Sequence, residues 1–129
     1  MKKFLALALV LVMLAAIPLS TSASSAYDSY VVGTWTGYAR IDTKTNDIGA
    51  SGSTTLTLRS NGTCTWYFAG QSFTGTWKYY SKESSGYAYQ MSCTVYGTKT
   101  TFAFMYSTLP NLYGDLAILV GDAIYIYQK

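Results

Sequence analysis

Apolar and polar residues alternate along most of this 129-residue chain in short runs, and Gly, Asn, Asp and Ser separate one run from the next. Alternation with period two places every second side chain on one face, which is the pattern of a half-buried β-strand. It predicts eight strands, over 34–42, 53–59, 63–69, 72–80, 87–94, 99–107, 115–120 and 123–128. No segment between them carries a helical period. Asn61-Gly62 is the clearest reversal, because Asn and Gly tolerate the positive φ of a tight hairpin. Gly70-Gln71, Gly97-Thr98 and Gly121-Asp122 mark three more, so the strands follow one another as a meander.

Side-chain parity then assigns faces. A three-residue loop at Ser60-Asn61-Gly62 sets Leu58 opposite Cys64 and Leu56 opposite Trp66, making Leu56, Leu58, Cys64, Trp66 and Phe68 an inner set. A two-residue loop at Asn61-Gly62 would turn Trp66 outward. In the fourth strand Phe73, Gly75, Trp77 and Tyr79 alternate with Thr74, Thr76 and Lys78, so the lysine marks the outer face.

Eight short antiparallel strands leave two open edges unless the sheet closes, and an open edge templates aggregation. The expected fold is therefore all-β, an eight-stranded antiparallel up-and-down barrel. A two-sheet sandwich is the alternative, but it needs longer crossovers than this chain offers. Two connections are long: Asp42 to Ser53, and Thr108 to Gly114 with Pro110. In a meander the first shares one barrel end with the turns at 70, 97 and 121. The second shares the other end with Asn61-Gly62.

The N-terminus reads differently. Lys2 and Lys3 precede the apolar run Phe4 to Leu19, and small residues follow from Ser20 to Ala26. That order predicts a secretory signal peptide over residues 1–26, cut after Ala23 or Ala26, with a single domain at 27–129 in the periplasm or outside the cell. The apolar run is shorter than the ~20 residues of a spanning helix, so no integral membrane segment is expected in the mature chain. Two of the nine basic residues leave with the leader, so seven face six acids and the mature domain is close to neutral. A near-neutral domain without a basic cluster lacks the footprint of a nucleic-acid binder. All 13 tyrosines and all three tryptophans fall in the mature domain, which suits a pleated sheet.

The chain contains no histidine. This removes His-dependent triads, His-based zinc sites and the usual general base near neutral pH, and the expectation is a non-enzyme with no metal and no cofactor. Asp28, Asp42, Asp47, Glu83, Asp115 and Asp122 fall at strand ends, in loops or ahead of the first strand, as turn and cap residues do. Cys64 and Cys93 are an even pair in an exported chain, which favours a disulfide. The strand map instead sets them near opposite barrel ends with a strand between, too far for the ~7 Å Cα separation a bridge requires. Of Tyr79, Tyr80, Tyr87, Tyr89, Tyr125 and Tyr127, some are expected to face outward, where their rings suit a sugar or a protein partner.

Gly33-Thr34-Trp35, directly after Val31-Val32, resembles the G-x-W signature of lipocalins. The long Asp42–Ser53 connection is similar to the loop that partly lids the lipocalin mouth, and a second Gly-Thr-Trp stands at 75–77. The pattern resembles the small lipocalin-like barrels of exported bacterial proteins, without a C-terminal helical segment and without the last-strand arginine that the family packs on its Trp. The resemblance implies a small apolar ligand inside the barrel. By side-chain parity Ile41, Leu56, Phe68, Phe73, Met91 and Phe102 would line the half nearest the Asp42–Ser53 loop, and Trp35, Trp77 and Tyr106 would plug the opposite end. The alternative is a filled barrel that works through its outer surface on protein or glycan.

Overall fold

The computed structural model describes residues 26–129; the expected signal peptide lies almost wholly outside these residues. A short 3-10 helix, Ala26–Tyr30, leads into β1 (Gly33–Asp42), β2 (Ile48–Gly49), β3 (Thr55–Leu58), β4 (Thr63–Phe68), β5 (Gln71–Glu83), β6 (Gly86–Val95), β7 (Thr98–Ser107), β8 (Leu116–Val120) and β9 (Ala123–Gln128). Every pairing is antiparallel, the order is β2-β1-β3-β4-β5-β6-β7-β8-β9, and β1 also pairs with β9. Eight strands thus close an up-and-down barrel, and the two-residue β2 folds back on Arg40 and Ile41. Among the described residues no helix is long and apolar enough to cross a membrane.

The Asn61-Gly62 hairpin has the three-residue loop. Leu58 opposes Cys64 and Leu56 opposes Trp66, Gly62 has φ +85°, and Asn61 Oδ1 accepts the Thr63 N–H at 3.0 Å. Trp66 therefore points inward. With it inside are Trp35, Leu56, Leu58, Cys64, Trp77, Tyr89, Met91, Cys93, Phe104, Leu116, Ile118 and Tyr127. Rings of this size each contribute about 1.5–3 kcal/mol when fully buried. Their polar tips are satisfied, as burial demands. Trp35 Nε1 donates to the Val31 carbonyl at 2.8 Å, and Trp77 Nε1 donates to the Arg59 and Thr63 carbonyls at 3.0 and 3.1 Å.

Trp35 and Trp77 close the lower end. There the 3-10 helix lays Tyr27 and Tyr30 against Tyr79, Tyr87 and Tyr106, and the Tyr89 hydroxyl donates to the Tyr27 carbonyl at 2.6 Å. Lys129, one residue beyond β9, places its ammonium 5.2 Å above the Trp35 ring.

Two β-bulges change what parity predicts. Between Gly37 and Ala39 the β1–β9 register shifts by a residue, so Gly37 pairs with inward Tyr127 while Ala39 pairs with outward Ile126. A one-residue insertion moves every later side chain to the opposite face. Ile41, expected to line the interior, accordingly faces outward and packs with Ile124, Ile126, Ala117, Met105 and Ala88 in a second apolar cluster. Arg40 takes the inward side beside Tyr125. The second bulge, between Tyr79 and Ser81, leaves Tyr80 exposed. Of the six tyrosines that parity left undecided, Tyr80 is the exposed one; Tyr89 and Tyr127 are fully buried.

The cysteines also stand elsewhere than expected. Cys64 pairs with Gly75 and Gly75 pairs with Cys93, so the two lie at one level on either side of β5. Strands in a barrel are staggered by its shear. β5 overhangs β4 by seven residues, from Trp77 to Glu83, and the late part of β6 therefore lies level with the early part of β4.

Candidate functional site

The mouth of the barrel is where β1 and β3 part. Their pairing stops at Thr36 and Thr55, and above this point the free edge of β1 takes β2 instead. The chain from Ser51 to Thr54 crosses the gap. Gly37 permits that crossing, because a Cβ there would stand 2.4 Å from Thr54 Cγ2 and 3.0 Å from Ser51 Oγ. The Gly37 N–H donates to the Thr54 carbonyl at 2.9 Å. Thr54 reaches inward: its hydroxyl donates to the Tyr67 carbonyl at 2.7 Å and lies 2.8 Å from the Tyr127 hydroxyl.

A pocket of about 330 Å³ lies between this crossing segment and the β4–β5 turn, lined by Ser51, Gly52, Ser53, Thr54, Tyr67, Phe68, Ala69, Gly70 and Tyr125. That volume lies at the lower end of small-molecule pockets. Its apolar wall is Phe68 with Tyr125 edge-on at 4.8 Å. Phe68 in turn stacks on Trp66 at 4.7 Å, and Phe102 and Phe73 meet the same indole at 4.9 and 6.1 Å. Ser51, Gly52, Ser53 and Thr54 add a polar lining. Arg40 stands over the Tyr125 ring at 5.9 Å and donates from Nε to the Tyr125 hydroxyl at 3.2 Å.

Of the six residues expected to line a ligand cavity, Phe68 lines this pocket. Phe73 and Phe102 are half-buried around Trp66, while Leu56 and Met91 are sealed in the core beneath it. Ile41 is on the outside of the wall, for the reason given above. Parity did not single out Tyr125 or the Ser51–Thr54 segment. Tyr125 was legible in the β9 alternation, and the loop through its Gly and Ser content at the same barrel end as the turn at Gly70.

Four of the six acids have partners for their side chains within the fold. Asp42 Oδ1 accepts the N–H groups of Lys44 and Thr45 at 2.8 and 3.1 Å, and these bonds hold its carboxyl below the usual range. Asp122 pairs with Lys44 at 3.2 Å, Glu83 accepts from Ser81 at 2.7 Å, and Asp115 accepts from the Tyr38 hydroxyl. Burial pushes the Tyr38 phenol up, and the Asp115 bond pushes it further. Among the described residues no three Cys, Asp or Glu side chains converge to hold a metal ion. Comparison of the chain with protein-family models, with curated proteins and with solved structures finds no match.

Proposed function

We propose that this chain is an exported, non-catalytic, lipocalin-like binding protein that takes one small, ring-bearing molecule at the mouth of its barrel. The observation that carries the reading is the 330 Å³ pocket, lined by the aromatic residues Phe68 and Tyr125 together with the polar Ser51 and Ser53. Flat apolar ligand surface stacks on such rings, and the hydroxyls orient the polar edge. The site is shallower than the resemblance implies, because Trp66 and its phenylalanines fill the barrel below it. The likeness to lipocalins is supported by Trp35 at the closed end, where Lys129 supplies the cation that the family takes from a last-strand arginine.

A direct test titrates the protein with 1-anilinonaphthalene-8-sulfonate, which joins aromatic rings to one anionic group. The reading expects saturable one-to-one binding that weakens about tenfold or more in Phe68→Ala and in Tyr125→Ala, as loss of an aromatic contact of ~1.4 kcal/mol requires. Binding that is unsaturable, or indifferent to both substitutions, overturns it. The second reading, a filled barrel acting through its surface on protein or glycan, is favoured by the complete burial of Trp35, Trp66, Tyr89 and Tyr127. Its aromatic contacts would be the exposed Tyr30, Tyr38, Tyr67, Tyr80, Tyr96 and Tyr113.

A further inference from the structure

The ladder Leu58–Cys64–Gly75–Cys93–Thr100 runs across four neighbouring pairings, and in it the two cysteines flank a residue with no side chain. Both thiols are free and buried in one core cluster. Gly75 is what lets them meet. A Cβ at that position would lie 1.9 Å from the Ser92 carbonyl oxygen and 3.0 Å from Cys93 Sγ, so any other residue would fill the space over the strand. With that space open, no side chain of β5 stands between Cys64 and Cys93. The neighbouring Cys93 thiol, with burial added, pushes the Cys64 thiol above its ordinary range.

We propose that Cys64 and Cys93 are a redox-active pair which a disulfide oxidant closes into a bond across Gly75, tying β4 to β6. In the exchange one cysteine, as its thiolate, attacks one sulfur of the oxidant, whether a small molecule or a protein, and expels its other sulfur as a thiolate. The second cysteine, deprotonated as it reacts, then attacks the first cysteine's sulfur in the mixed disulfide and expels the second thiolate. The chain loses two electrons and two protons, and the oxidant's disulfide gains both. Because both sulfurs are buried, the reaction belongs to folding or to transient opening of β4–β6. Two ladder steps exceed the usual Cα separation of a disulfide in a flat sheet. Closure therefore pinches β4 toward β6 at Gly75, and the bond is more reducible than a relaxed one.

The test equilibrates the full chain in buffers of graded oxidised-to-reduced glutathione ratio. Each sample is quenched in acid, unfolded and alkylated with iodoacetamide for intact-mass measurement. The proposal expects a monomer two hydrogen masses lighter, with no alkyl group, to accumulate as the ratio rises, with a Tm roughly 5–15 °C above the reduced form. The double variant Cys64→Ala/Cys93→Ala should show a Tm indifferent to the ratio. Two alkyl groups at every ratio, or cross-linking that yields only dimers or glutathione adducts, would overturn it.

Discussion

The Trp66 indole donates its Nε1–H to the Tyr127 hydroxyl at 3.0 Å, joining β4 to β9 across the barrel interior. The same hydroxyl lies 2.8 Å from Thr54 Oγ1, so one buried phenol ties together the floor of the pocket and the segment that walls it. The Tyr127→Phe variant keeps the ring and removes the partner of two buried groups. A buried donor left unpaired costs about 1–3 kcal/mol. Urea unfolding should show that loss with an unchanged m-value, and anilinonaphthalene binding should weaken as Thr54 loosens.

Gly75 is the tightest backbone approach in the β5–β6 pair. Gly75→Ala drives a methyl group into the Ser92 carbonyl and should cost about 3 kcal/mol or prevent folding. Gly49→Ala, at a position with nothing within 4 Å, should change stability by less than about 0.5 kcal/mol. Parallel denaturation curves of the two variants decide whether the crowding or merely the loss of glycine matters.

Alkaline pH should unfold this protein through its tyrosines. Burial raises the Tyr89, Tyr127 and Tyr38 phenols above their ordinary value. A raised folded-state pKa contributes stability that is intact below the unfolded value of about 10 and is lost as pH rises toward the higher folded value. Phenolate absorbance followed against pH should show these three groups ionising above the ordinary phenol range, with Tyr89 and Tyr127 doing so in a steep step coincident with loss of near-ultraviolet circular dichroism.

Acid acts on the long loop. The Lys44 and Thr45 N–H groups hold the Asp42 carboxylate, and its pKa is lowered. A depressed carboxyl pKa contributes order that is present above the unfolded value of about 3.9 and lost as pH falls through the lower folded value. The amide resonances of Lys44 and Thr45 should therefore move together at a pH below the usual Asp range, and Asp42→Asn should abolish that shared titration. A midpoint at or above about 3.9 would contradict the loop geometry.

The strand order and the inner face of β3, β4 and early β5 were legible from alternation and turn residues, because each depends on a local period of two. What was not legible depended on insertions that leave that period undisturbed to the eye. Tyr38 and Tyr80 are ordinary strand formers, and nothing in their neighbours marks them as bulges, yet the first sends Ile41 outside and brings Arg40 in. The level of Cys64 and Cys93 was hidden for a different reason. Stagger is a property of the closed barrel as a whole, and a map that draws strands side by side places the start of one and the end of another at opposite ends. The pocket combined both effects, since it exists only where β1 leaves β3 and a Gly-Ser segment crosses the gap.

Native mass spectrometry of the protein purified from its own host tests the binding reading most directly. The expected result is one small molecule per chain, released on denaturation and missing from a Phe68→Ser/Tyr125→Ser variant that still folds. Bare protein from several growth conditions, or an adduct kept at full occupancy by that variant, would contradict it.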